Sequence, residues 1–346
     1  MEDDFLLMNP GPVPLEDRIR EAMSAPMVSH RSPDFERVYR ECRDGLQQVF
    51  QTQNDIAIIN GTGTAALETA VSNCVDRGDR VVSLVNGKFG RRLRRISERY
   101  SDDVRSVDVE WGEPLNIEDV ENHLEQGVDV VTMVHNETST GILNPAPEVG
   151  RLAQEHDTMF IMDGVTSIGG DDGPVDKWGV DLAIVGSQKC LGAPPGLSAL
   201  SVSENAKEWI ESEKAPFYLD LKRHLSKAED NQTPYTSSVS LFRGLREAIR
   251  IIQEEGLKSR VKRHRKLSRT VREAATEMGL ELFPRLNDVS DYSNTVTAIE
   301  IPDETSDEEI RGGLGERNIS ISGGQAHLGG DIVRIATMGN VHESDV

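Results

Sequence analysis

Short runs rich in Val and Ile recur along the first two thirds of the chain. They stand at 56–59 (IAII), 80–85 (RVVSLV), 104–109 (VRSVDV), 129–134 (DVVTMV), 158–163 (TMFIMD), 181–186 (DLAIVG) and 197–202 (LSALSV). The runs read as continuous apolar stretches, which marks strands covered on both faces. Helix-length segments at 64–76, 90–101 and 146–156 separate several of them. Strand, helix and strand in that order predict an α/β fold: a large domain with a mostly parallel seven-stranded sheet flanked by helices. Near residue 240 the texture changes. A long amphipathic pattern runs from about 239 to 278, broken at Gly256, and is followed by a strand pattern at 295–301, a helix at 306–315 and short strands near 319–322 and 332–336. This predicts a smaller α+β C-terminal domain. Residues 1–20, with Pro10, Pro12 and Pro14, read as an extended N-terminal arm. The expected division is therefore 1–20, 21–240 and 241–346, with no internal repeat and no low-complexity linker.

Composition narrows the picture. A chain of 346 residues is long enough for a large and a small domain. No stretch approaches the roughly 18 unbroken apolar residues of a membrane helix. The start, MEDDFLLMNPGPVP, is acidic and lacks the basic region of a secretory signal, so the expected compartment is the cytoplasm. Cys42, Cys74 and Cys190 form no CxxC pair, so they read as reduced thiols, with neither disulfides nor a metal site. The net charge is −21, from 59 acidic and 38 basic residues. Two readings compete: a site for basic partners, or a surface adapted to high salt, where like-charge repulsion is screened. The acids are spread along the chain, which favours salt adaptation. Nucleic acid and anionic membranes are poor partners for such a surface. The one basic run, Lys258 to Arg265, reads as the solvated face of a helix.

The candidate chemistry sits just after the predicted strands. Lys189, in GSQKCLGAPPGLS, follows a buried run, where a lysine is costly unless it has a partner or a task. One task is a Schiff base, because a desolvated amine loses its charge more easily; the alternative is a lysine in a surface loop. Asp163 ends another buried run, and in an open α/β sheet both residues would face the crevice at the carboxyl ends of the strands. Such a carboxylate can pair with a pyridinium nitrogen, or simply cap a turn. Asn60-Gly61-Thr62-Gly63-Thr64 offers small residues and hydroxyls at a helix start, where a phosphate can sit. It lacks the dinucleotide spacing and the Walker lysine, and on its own it is also a plain helix cap. Phe89, in Asn86-Gly87-Lys88-Phe89-Gly90, can lie flat on a planar ring or belong to the core. His135 to Gly141 (HNETSTG) clusters hydroxyls and a carboxylate, or is a polar turn before a proline. Five such loops following five strands all point to one sheet edge.

The order and wording of these loops resemble the class V (fold type I) pyridoxal-phosphate aminotransferases, in particular the alanine–glyoxylate and serine–pyruvate group. The resemblance runs from MNPGPVP at 8–14 to VRIATMGNV at 333–341 and includes SHRSPDF, G-x-FG-x-R, H-x-ETSTG and GSQK-x-L-x-APPGL. It implies pyridoxal 5'-phosphate as cofactor, with Lys189 as its Schiff-base anchor and Gln188 beside it. It further implies Asp163 on the pyridine nitrogen, Val165 and Phe89 on the two ring faces, and Thr62, Gly63 and Thr64 on the phosphate. Thr138 would lie near the phenolic oxygen. Arg334 would clamp the substrate carboxylate with the planar fork suited to it, with Gly11 also on the substrate side. Thr236 matches a phosphate contact supplied by a neighbouring subunit, which implies a homodimer with shared active sites. The implied reaction moves the amino group of a small amino acid, such as alanine or serine, to a small 2-oxo acid, glyoxylate or pyruvate.

The chain departs from the family's usual pattern in places. Gly164 and Thr166 stand where Ala and Ser are frequent, Cys190 follows the lysine, and Thr233 occupies a position often held by tyrosine. Other readings stay open. A phosphonate-handling transaminase would show an extra cation near the site, and the sequence does not place one. A relative that binds cofactor without turnover, such as a hydrogenase subunit, is a further possibility. A cysteine desulfurase needs a reactive cysteine late in the chain, and none follows Cys190. A nicotinamide fold needs GxGxxG after the first strand, which NGTGTAA does not supply.

Overall fold

The computed structural model describes residues 5–210 and 215–346, so the first four residues of the expected arm lie outside it. Seven strands form one sheet: β1 Asp55–Asn60, β2 Arg80–Val85, β3 Asp103–Asp108, β4 Val130–Val134, β5 Met159–Asp163, β6 Leu182–Gly186 and β7 Leu197–Val202. Their order across the sheet is β1-β7-β6-β5-β4-β2-β3. β7 runs antiparallel to both neighbours, and every other pairing is parallel. The carboxyl ends of β1, β2, β4, β5 and β6 therefore share one edge.

The apolar runs are continuous because both faces are covered. Val82, Val131, Met133, Phe160, Met162 and Ala183 join one core, while Val81, Val130, Met159, Ile161, Leu182 and Ile184 join the other. Neighbours along a strand alternate between the two layers, as a period of two requires. The outer strand β3 differs. It is only half-buried over most of its length and carries Asp103, Arg105 and Asp108, charges that discourage pairing with another chain.

The helix Pro33–Phe50 starts with Ser32 accepting the Phe35 N–H and with Pro33 in its first turn, both favourable at a helix start. Phe242 of the helix Val239–Glu255 packs edge-on to Phe35 at 5.2 Å and stacks on Tyr39 at 5.6 Å. This helix thus completes the core of the large sheet. It ends at Gly256, whose φ of +79° lies where side chains fit poorly, and the helix Leu257–Glu277 follows. Beyond it, the strand Val296–Glu300 pairs antiparallel with Ile332–Ala336, which pairs with Ser322–Gly323.

Two sequence expectations need correction. The extended start is shorter than expected, because the helix Asp17–Ser24 begins inside it. Leu6 and Leu7 pair in parallel with Ile319 and Ser320, and Val13 N–H donates to the Gln188 carbonyl. The basic run at 258–265 is also not simply a solvated face. Arg260 and His264 are buried, 1% and 0% exposed. Arg260 donates to Glu255 and to the carbonyls of Cys190 and Gly339, and His264 Nε2 accepts the Gly339 N–H. A buried guanidinium survives there because its charge is paired with Glu255 and its Nη2 meets two carbonyls, although Nε has no partner.

Among the described residues no helix is long and apolar enough to cross a membrane, and no group of His, Cys, Asp and Glu could hold a metal.

Candidate active site

All five loops at the carboxyl edge meet around one cavity of about 250 Å³. Its wall holds Thr62, Gly63 and Thr64 after β1, Phe89 after β2, Thr138 after β4, Asp163 and Val165 at the end of β5, and Gln188 and Lys189 after β6. The lysine and the aspartate are thus on the same side of the sheet, at the ends of two adjacent parallel strands.

The helix Gly63–Cys74 begins at Thr62 with no side-chain cap, so its amino end offers N–H groups to an anion. Gly63 has to be small: a Cβ there would stand 2.9 Å from Val165 Cγ2. Gln188 Oε1 is buried in the wall and has no hydrogen-bond partner. Such an orphan is costly unless something else meets it.

The two charged groups are perturbed in opposite senses for one reason. Burial pushes the Lys189 amine below the usual lysine range, with the nearby Asp163 charge opposing. Burial likewise pushes the Asp163 carboxyl up to about 6, although the Val165 N–H bond holds it down. Lys189 Nζ donates to the Pro10 carbonyl, and a Cβ at Gly11 would lie 2.5 Å from that nitrogen. The N-terminal segment therefore closes directly over the amine.

Two expected residues stand apart. Arg334 is buried and does not line the cavity. Its guanidinium donates to the Thr138 carbonyl at 3.0 Å and to the Gly323 carbonyl, and burial pushes its pKa down to about 10. Thr236 is exposed and does not line the cavity either.

One residue of the quoted motifs was given no role: the arginine that ends G-x-FG-x-R. Arg92, one turn after Phe89, lines the cavity, lies 4.7 Å over the Phe89 ring and donates to Thr64 Oγ1 at 3.3 Å. It places a guanidinium on the cavity wall beside the amino end of the helix Gly63–Cys74. The i, i+3 spacing from Phe89 was the available signal. Asn136 and Thr166 also reach the wall. Asn136 Nδ2 donates to Thr166, and the Thr138 and Thr166 hydroxyls share a bond of 2.7 Å.

Comparison with known proteins agrees with this geometry. The sequence pattern of the family described as Aminotransferase class-V matches residues 17–339. An uncharacterized aminotransferase of Methanocaldococcus jannaschii is 42% identical, over 99% of this chain and 89% of its own. The soluble hydrogenase small subunit of a Synechococcus strain is 35% identical, over 100% and 91%. The crystal structure of alanine–glyoxylate aminotransferase from a Nostoc species superposes with a TM-score of 0.93 at 35% identity, covering 100% of this chain and 93% of that one.

Proposed function

The chain belongs to the class-V aminotransferases, and on that premise we propose that it moves the amino group of a small amino acid, such as alanine or serine, to glyoxylate or pyruvate. The observation that carries the proposal is the pairing of Lys189 and Asp163 on the wall of one cavity.

Enzymes of this family depend on pyridoxal phosphate. The residues present fit that group. The uncapped amino end of Gly63–Cys74 suits a phosphate, the unpartnered Gln188 Oε1 awaits a donor, and the buried amine and carboxylate match an aldehyde and a ring nitrogen. We assign Thr62, Gly63 and Thr64 to the phosphate, Phe89 and Val165 to the ring faces, Asp163 to the ring nitrogen, and Gln188 and Thr138 to the ring's polar substituents. When bound, the cofactor supplies a carbonyl for the amino group and a ring that draws electrons away from the substrate's α-carbon.

The protein supplies position and charge. Lys189 Nζ, kept closer to neutral by burial, serves as nucleophile and afterwards as the base that takes the α-proton. Asp163, charged at neutral pH, holds a proton on the ring nitrogen. Arg334 receives the substrate carboxylate after exchanging a carbonyl partner for it, with Gly11 keeping space beside the amine. We assign Thr236 to the site of a second protomer in a homodimer. We further propose cytoplasmic location, a salt-adapted surface and a division into arm, large domain and small domain as read from the sequence.

Arg92 favours a second reading, in which the donor carries an acidic side group such as a carboxylate or phosphonate. The similarity to a hydrogenase subunit keeps a third in view, cofactor binding without turnover. One panel separates them. Purified protein loaded with pyridoxal phosphate is offered alanine, serine, aspartate and an aminophosphonate, each with glyoxylate and with pyruvate. Fastest turnover with alanine or serine is the expected result. Preference for the acidic donors would install the second reading, and bound cofactor without turnover on any pair would remove the first two.

A further inference from the structure

The helix Lys88–Tyr100 carries Phe89 in its first turn, yet it has no cap of its own. Its N-cap is Gly87, which has no side chain to offer. The first N–H groups of a helix need acceptors, and an anion is favoured there by the helix dipole. Here the acceptors come from the turn after β4, about fifty residues away. Ser139 Oγ accepts the Lys88 N–H at 2.9 Å, and Glu137 Oε2 accepts those of Phe89 and Gly90 at 3.0 and 2.9 Å. The other carboxylate oxygen, Oε1, accepts from Ser139 N–H at 3.0 Å and Ser139 Oγ at 2.5 Å. Glu137 is completely buried, and all four hydrogen bonds of its carboxylate hold either this helix start or the turn itself.

Gly87 makes the contact possible. A Cβ there would lie 2.2 and 2.3 Å from Glu137 Cγ and Cδ. Its φ of −178° is ordinary extended backbone, so the requirement for glycine comes from Glu137 and from Ser139 Oγ, 2.6 Å from the same Cβ, and not from strain. The same turn presents the Thr138 carbonyl to Arg334.

We propose that Glu137 is a positioning residue: its carboxylate, acting as the cap of another element's helix, sets the direction in which Phe89 presents its ring to the cofactor. The inference rests on the reading that places Phe89 against the pyridoxal ring. Glu137 touches neither cofactor nor substrate, and its effect passes through the Phe89 and Gly90 amides. Losing a charged acceptor from buried N–H groups is a large perturbation, and one that frees the helix start would disorder Phe89.

The test is a double-mutant cycle read as the affinity of the apoprotein for pyridoxal phosphate, followed by absorbance, with thermal unfolding confirming that each variant is folded. Glu137→Ala is expected to weaken binding at least ~10-fold, and Phe89→Ala to weaken it comparably. Combined, they should cost no more than about 3-fold beyond Phe89→Ala alone, because one acts through the other. Gly87→Ala, whose methyl would meet the Glu137 side chain at 2.2 Å and Ser139 Oγ at 2.6 Å, is the second variant and should reproduce the loss. If Glu137→Ala does not fold, the cycle of Gly87→Ala with Phe89→Ala decides. Native affinity in folded Glu137→Ala or Gly87→Ala, or losses that multiply independently with Phe89→Ala, would overturn the inference while leaving the site reading intact. Native affinity in Phe89→Ala would remove both.

Discussion

The two ends of the large sheet both carry cavities lined by carboxylates, and they differ in what those carboxylates have left to give. At the amino ends of β5 and β6 lies a cavity of about 540 Å³, larger than the one at the carboxyl edge. Two of its three acids are fully engaged, and the third, Asp157, is exposed to solvent. Asp176 accepts from the Thr52 hydroxyl, the Gln53 N–H and the Asn54 amide. Asp181 accepts from Phe160 N–H, the Ser203 hydroxyl and the Asn205 amide. They tie loops together. At the carboxyl edge the cavity is about 250 Å³, and its groups are only partly spent: an uncapped helix, an orphan amide oxygen, an aspartate pushed up that accepts one N–H, from Val165, and a lysine pushed down that donates to the Pro10 carbonyl. Volume does not separate a site from a crevice. Polar groups buried at a cost and converging on one cavity with bonding capacity left over do, because a ligand bound among them repays the burial.

The contrast breaks most visibly at Lys189. Lys189→Ala should lower transaminase kcat/KM by at least ~10³-fold, with thermal unfolding of the apoprotein no worse than native; retained turnover would show that the amine is a bystander. Asp163→Asn should cost roughly 10²-fold in kcat while stabilising the apoprotein. The direction follows from the carboxyl's rise from 3.8 to about 6 on folding. Its contribution to stability is present below pH 4 and is lost as pH rises through 6, so at pH 8 the neutral amide gains up to about 3 kcal/mol. Chemical denaturation at pH 8 measures this, and a less stable Asn variant would contradict it. In the native protein the affinity of the apo form for pyridoxal phosphate should fall as pH drops below about 6, by up to about tenfold per unit, as Asp163 takes up its own proton. The smallest expected effect is at the other end of the sheet. Asp176→Ala should cost about 1–3 kcal/mol of stability and leave kcat/KM of the folded fraction within about twofold.

Much of this edge was legible in the chain. Each of the seven predicted strands exists, because buried parallel strands advertise themselves as continuous apolar runs bounded by polar turns. The five loops were legible for a related reason, since the carboxyl ends of parallel strands fall on one edge without further information. What was not legible depends on partners distant in sequence. Arg92 closes the G-x-FG-x-R pattern, but nothing local says that the fold will bring Thr64 beside it. Arg260 and His264 read as solvated because nothing local reveals that Glu255 and the Cys190 and Gly339 carbonyls will meet them. The contact of Pro10 with Lys189 spans 179 residues of sequence. Arg334 was found as a residue, but its attachment to the Thr138 and Gly323 carbonyls belongs to the packing of the C-terminal sheet against the β4 turn.

The claim on which the account turns is that one amine, among ten lysines in the chain, anchors the cofactor. Loading the protein with pyridoxal phosphate, reducing it with borohydride and mapping the labelled peptide by mass spectrometry asks this directly. The account predicts a single phosphopyridoxyl group, on Lys189. Label on any other lysine, with the peptide around Lys189 unmodified, would contradict it.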